Sequence, residues 1–64
     1  MFYPAYQGKS INIIVALQEV GENDVSFKNR RNIAAWNGIK DYAGKPLQNT
    51  QILNLLKKGK LKKR

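Results

Sequence analysis

The chain has 64 residues, with twelve Lys and Arg against four Asp and Glu, a formal charge of +8, and neither His nor Cys. At this length one domain is the ceiling, and a chain of about 60 residues buries only about 60% of the surface it exposes when unfolded. The missing residue types exclude disulfides, zinc-thiolate sites, a thiol nucleophile and an imidazole base, so no metal or cofactor is expected.

The N-terminal stretch Phe2-Tyr3-Pro4-Ala5-Tyr6 reads as an extended arm or edge strand over residues 1–9. Pro4 biases Tyr3 to extended geometry, Gly8 interrupts the run, and a proline keeps a strand at an edge. Its pairing partner is expected around Leu61 or along Ile39 to Tyr42. Met1-Phe2-Tyr3-Pro4 lacks the charged start of a signal peptide. The longest apolar run, Ile13 to Leu17, is far short of the roughly 20 residues that cross a bilayer.

A first helix is predicted over about 11–20, with Ser10 as its N-cap. Ile11, Ile14 and Leu17, joined by Ile13 and Val20, form its buried stripe, and Gly21 ends it. After the turn Gly21-Glu22-Asn23-Asp24, Ser26 caps a second helix over 27–36 that closes at Asn37-Gly38. Phe27 and Trp36 join Ile33 as its expected core residues, because so small a domain needs large side chains inside. A loop over 39–45 leads to Pro46, whose fixed φ suits the first position of a third helix over about 46–58. Leu47, Ile52, Leu53, Leu55 and Leu56 supply its apolar face. The basic tail over 59–64 is expected to fray at its end. The whole reads as a mostly α, compact three-helix domain with a short N-terminal arm, becoming α+β if the arm pairs.

The four carboxylates offer no catalytic pair: Glu19, Glu22 and Asp24 gather at one helix end while Asp41 lies alone in a later loop. The five glycines stand singly, where helices stop, and form no phosphate loop. A binding role is therefore expected in place of an enzymatic one. Three kinds of side chain are candidates for it. Tyr3, Tyr6 and Tyr42 occupy an arm and a loop, where a ring can stack on a sugar or base, and Trp36 is added to them. Asn37, Gln48 and Asn49 offer the paired donors and acceptors that suit N-acetyl groups and peptide amides, although Asn37 before Gly38 is most simply a helix end. Arg30, Arg31, Lys57 and Lys58, with the cations up to Arg64, attract an anionic polymer or merely keep the chain in solution.

One ordered set of words is more specific. Tyr3-Pro4-Ala5, Val20-Gly21, Ser26-Phe27, Arg30, Ile33-Ala34-Ala35, Asn37-Gly38-Ile39, Tyr42, Gly44, Gln48-Asn49-Thr50, Leu53 to Lys57 and Gly59-Lys60-Leu61 span nearly the whole chain. Together they resemble the C-terminal cell-wall-binding module of phage and prophage endolysins and autolysins of Gram-positive bacteria. Lys45-Pro46 departs from that family, where a small hydroxyl residue is expected at the helix start. A fainter similarity, through Ile33 to Ile39, is to LysM, but the third helix and the missing Gly-Asp-Thr turn set the chain apart. The endolysin resemblance implies a non-catalytic module that holds a lysin's catalytic domain, in the same chain or as a separate subunit, to peptidoglycan or teichoic acid. It also implies residence in the host cytoplasm until release, then on the wall, and repeated or homo-oligomeric modules would gain avidity. A chain that starts at Met1 without a catalytic part is expected to be either an excised fragment or a separately made binding subunit.

Two other readings compete. The net charge and Arg30-Arg31 would suit a small DNA-binding domain, but the loop over 39–45 exceeds a helix-turn-helix turn. A membrane-active third helix would have to give up Ile52 to Leu56, which are better used in packing.

Overall fold

Asn12, and not Ser10, starts the first helix. In a computed structural model describing residues 1–64, the Asn12 side-chain oxygen accepts the backbone N–H groups of Ile14 and Val15, and α1 runs Ile13–Glu19. Ser10 Oγ instead accepts the Asn12 N–H at 3.0 Å, bracing the cap from outside. Starting two residues late leaves Ile11 outside the helix. Ile13, Ala16 and Leu17 face the core, while Ile11 is 86% exposed and only Ile14 and Val20 of the remaining expected stripe pack against it.

The second and third helices follow the predicted bounds closely. Ser26 caps α2 (Phe27–Trp36) by accepting the Asn29 N–H, and α3 (Pro46–Lys57) begins on Pro46. Lys45, at the N-cap of α3, has no acceptor to offer. The free end is covered from the other side, because Gln48 Oε1 accepts the N–H of Ala43 at 2.8 Å and of Lys45 at 3.4 Å. The departure at Lys45 thus costs half a capping box.

All three helices end in the same way. Gly21, Gly38 and Gly59 have φ of +97°, +77° and +69°, and in each case the glycine N–H and the one after it turn back onto the last carbonyls. The pairs are Gly21 with Gln18 and Glu22 with Leu17, Gly38 with Ala35 and Ile39 with Ala34, Gly59 with Leu56 and Lys60 with Leu55. This Schellman arrangement needs a left-handed residue, which glycine adopts without a Cβ penalty. The chain can therefore reverse three times within 64 residues.

The arm and the tail close the domain together. Tyr3 N–H donates to Leu61 O at 2.9 Å, Lys63 N–H to Met1 O at 2.8 Å, and Phe2 and Lys62 form a single antiparallel bridge. Of the two pairings expected for the arm, the one around Leu61 is formed. One bridge does not make a sheet, so the domain is mostly α. The tail is not frayed as far as Lys63: Leu61 is fully buried, and Asn37 receives the Lys62 N–H on Oδ1 and gives Nδ2 to the Lys62 carbonyl. α1 and α3 pack directly on each other. The core comprises Tyr3, Tyr6, Ile13, Ala16, Leu17, Ile33, Ala34, Tyr42, Ile52, Leu53, Leu56 and Leu61. No helix is long and apolar enough to cross a membrane.

Candidate functional site

The tyrosines expected to stack on a ligand are core residues. Tyr3, Tyr6 and Tyr42 are 2%, 4% and 5% exposed, so none presents a ring face. The reason lies in where their hydroxyls go. A tyrosine can be buried when its polar end finds a partner. Tyr3 donates to a Glu22 carboxylate oxygen, Tyr6 donates to Glu19 Oε2 at 3.2 Å while accepting the Ser10 N–H, and Tyr42 donates to Asn49 Oδ1. Of the large residues expected inside, Phe27 does the reverse and is 45% exposed, while Trp36 is half-buried and packs against the core.

The amides are spent in the same way. Asn37 joins α2 to the tail, donating also to Ile33 O. Gln48 ties the loop through Ala43, Lys45 and Asp41 O, and Asn49 Nδ2 donates to Gly44 O at 3.3 Å. Three residues expected to hydrogen-bond a ligand are thus internal ties. Much of the ordered set of words singled out in the sequence consists of such caps, ties and core residues, which is a structural role.

Burial and the neighbouring Glu22 carboxylate push the Tyr3 hydroxyl well above its ordinary value of 10.0. The unfolded chain therefore ionises this tyrosine first. Its contribution to stability is complete below about pH 10 and is lost as pH rises beyond it, by about 1.4 kcal/mol per pH unit for one group. Denaturant midpoints measured from about pH 9 to pH 11.5 should fall more steeply for the native chain than for Tyr3→Phe. The two chains differ only in this hydroxyl, so the difference in slope reports Tyr3.

The roomiest of three surface hollows is a groove of about 680 Å³ between the start of α1 and the length of α3. Ile11, Ile14, Pro46 and Leu53 supply apolar surface, Thr50 and Asn54 supply exposed polar groups beside the engaged Asn12 and Asn49, and Arg30 and Lys57 supply the charge. Three expected site residues, Arg30, Asn49 and Lys57, meet here. Arg31 lies elsewhere, in an open hollow with Lys40, Asp41 and Tyr42, and Lys58 is exposed at the C-cap of α3. Thr50 and Asn54 were not anticipated, yet Pro46, Asn49, Thr50, Leu53, Asn54 and Lys57 follow the three-to-four spacing of one helix face. That periodicity was the available signal.

The electrostatics of the groove follow from which charges are already engaged. Glu19 and Glu22 hold tyrosine hydroxyls, and Asp24 caps the turn by accepting the Ser26 N–H; hydrogen bonding from the Ser26 side chain, together with that N–H, holds its carboxyl below the usual range. These three acids serve neutral partners. Arg30 is held by neutral groups as well: Nη1 donates to the Tyr42 hydroxyl at 3.3 Å, and the guanidinium carbon lies 5.8 Å from the centre of the Phe27 ring. Phe27 and Tyr42 pack together with centroids 5.6 Å apart.

No protein-family model, curated protein or solved structure matches the chain. What the groove can do rests on its own chemistry. A fixed cation, flanking amide and hydroxyl groups and an aliphatic floor together suit a ligand that is anionic at one point and otherwise a mixture of polar and apolar groups.

Proposed function

We propose that this chain is a non-catalytic binding module for the Gram-positive cell wall, of the endolysin kind, with peptidoglycan as its polymer. The observation that carries the reading is the groove, which combines Arg30 and Lys57 with Thr50, Asn54 and the aliphatic surface of Ile11, Ile14 and Leu53. Peptidoglycan offers carboxylates, amides and small methyl groups within one repeating unit, so each element of the groove has a counterpart. The exposed cations Arg31, Lys58, Lys60 and Lys62 would add salt-sensitive attraction to an anionic wall around that contact. The ordered residues from Tyr3 to Leu61 support the same assignment by resemblance. The engagement of Glu19, Glu22 and Asp24 in caps and ties favours binding over catalysis.

A wall pull-down tests it. The chain should sediment with washed Gram-positive walls at about 150 mM salt, where loose charge contacts are screened, and should still do so after teichoic acid is stripped. Loss on stripping would move the target to the anionic polymer. Failure to sediment with a panel of walls, with retention of duplex DNA in the same buffer, would replace the reading with nucleic-acid binding. The DNA alternative has little geometric support. The segment of residues 37–45 between α2 and α3 is too long for a helix-turn-helix turn, and the basic tail is pinned through Leu61, Lys62 and Lys63.

A further inference from the structure

We propose that Arg30 seats the carboxylate of a short peptide lying along α3, an inference that deepens the wall-binding reading and rests on it. Arg30 is unlike the other cations because its position is built. The Gly44 carbonyl fixes Asn49, Asn49 takes the Tyr42 hydroxyl hydrogen, Tyr42 takes one Arg30 N–H, and Phe27 lies beside the guanidinium. Every member of this chain is neutral, so the charge of Arg30 is oriented without being compensated.

One donor is also left over. Arg30 Nε is buried and has no hydrogen-bond partner, the only side-chain nitrogen or oxygen in the domain of which this is true. An unpaired buried donor costs about 1–3 kcal/mol, more on a charged group, and native proteins keep few of them. With Nη1 turned to Tyr42, the uncommitted edge of the guanidinium is Nε with Nη2. Two parallel N–H groups at that spacing match the two oxygens of a carboxylate. A ligand carboxylate that met Nη2 would neutralise the charge, and a small turn of the guanidinium would bring the buried Nε into the same contact.

The rest of the groove specifies a peptide. Thr50 and Asn54 stand one turn apart on α3 and are exposed, offering both donors and acceptors, as peptide groups require. A phosphodiester chain has no N–H to give them. Leu53 and Ile14 provide surface for methyl-sized side chains. From Asn49 to Lys57 the helix rises about 12 Å, which an extended peptide covers in about three or four residues.

The test compares acetyl-trialanine with acetyl-trialanine amide on the whole chain at about 20 mM salt, following the Arg30 Nε–H cross-peak by NMR, with inorganic phosphate as a third probe. The free acid should shift that cross-peak saturably and bind at least about tenfold more tightly than the amide, and phosphate should bind more weakly than the acid. Arg30→Lys retains the charge but not the two-donor edge. With its other backbone resonances in place, that variant should keep only the small preference for the acid that charge alone gives, losing most of the native discrimination. Equal binding of acid and amide by the native chain, no movement of the Arg30 resonance, or tighter binding of phosphate than of the acid would each overturn the proposal. If walls are still bound while acid and amide are not distinguished, only the Arg30 assignment fails. If walls are not bound either, the module reading fails with it.

Discussion

Deleting residues 60–64 should leave the domain largely unfolded in plain buffer at room temperature. A 64-residue domain has about 3–10 kcal/mol of stability to lose. The deletion removes the fully buried Leu61, and truncating such a leucine costs about 2–5 kcal/mol by itself. It also removes the backbone bonds joining Tyr3 to Leu61 and Lys63 to Met1, and both bonds between Asn37 and Lys62, at about 1 kcal/mol each. Leu61→Ala should reproduce a large part of the loss. Lys60→Gln and Lys62→Gln, which change charge while keeping the backbone, should move the midpoint little. Urea unfolding followed by circular dichroism separates these cases, and a truncated chain that unfolds at the native midpoint would show the tail to be an appendage.

Gly8→Ala should be the most damaging single-methyl change. A methyl there would sit 2.5–2.6 Å from Cζ and Cε1 of Tyr6, well inside contact distance. An exposed phenol could swing away. Tyr6 cannot, because it is buried and its hydroxyl is held by Glu19 and by the Ser10 N–H, the group that leads the chain into the cap of α1. Overpacking of this kind costs about 1–3 kcal/mol, and displacing the hydroxyl adds about 1 kcal/mol for each lost bond. A loss of about 3 kcal/mol is therefore expected. Gly8→Ala in a Tyr6→Leu background should cost much less than in the native chain, which identifies the clash as the cause. A full-sized loss in both backgrounds would place the fault in the Gly8 backbone.

The groove illustrates which parts of a binding site can be read early. Arg30, Asn49 and Lys57 were accessible from charge, amide content and helical spacing, and Thr50 and Asn54 from the same periodicity. The tyrosines were misplaced because loop location is a poor guide to exposure when a ring has a carboxylate or amide waiting for its hydroxyl. Tyr3 meets Glu22 across 19 positions of chain and Tyr6 meets Glu19 across 13, pairings that no local window contains. Phe27 was misplaced for the complementary reason, since it lies outside the core, against Tyr42 and Arg30.

By itself the sequence determined the three helices, their stops and the starts of the second and third, because capping and reversal are local chemistry: Ser26 and Pro46 at the starts, Gly21, Gly38 and Gly59 at the stops. It determined the positive charge and the absence of His and Cys. Tertiary structure decided which residues close the domain and which face outward. Asn12 displaced Ser10 as a cap, Leu61 drew the tail into the core, and Asn37, Gln48 and Asn49 became ties. Leu61 and Asn37 find partners distant in sequence, whereas Asn12, Gln48 and Asn49 find theirs within seven residues, in caps and loops whose geometry the fold sets. A polar side chain becomes structural or available according to whether such a partner exists, and only the folded arrangement of the whole chain supplies it.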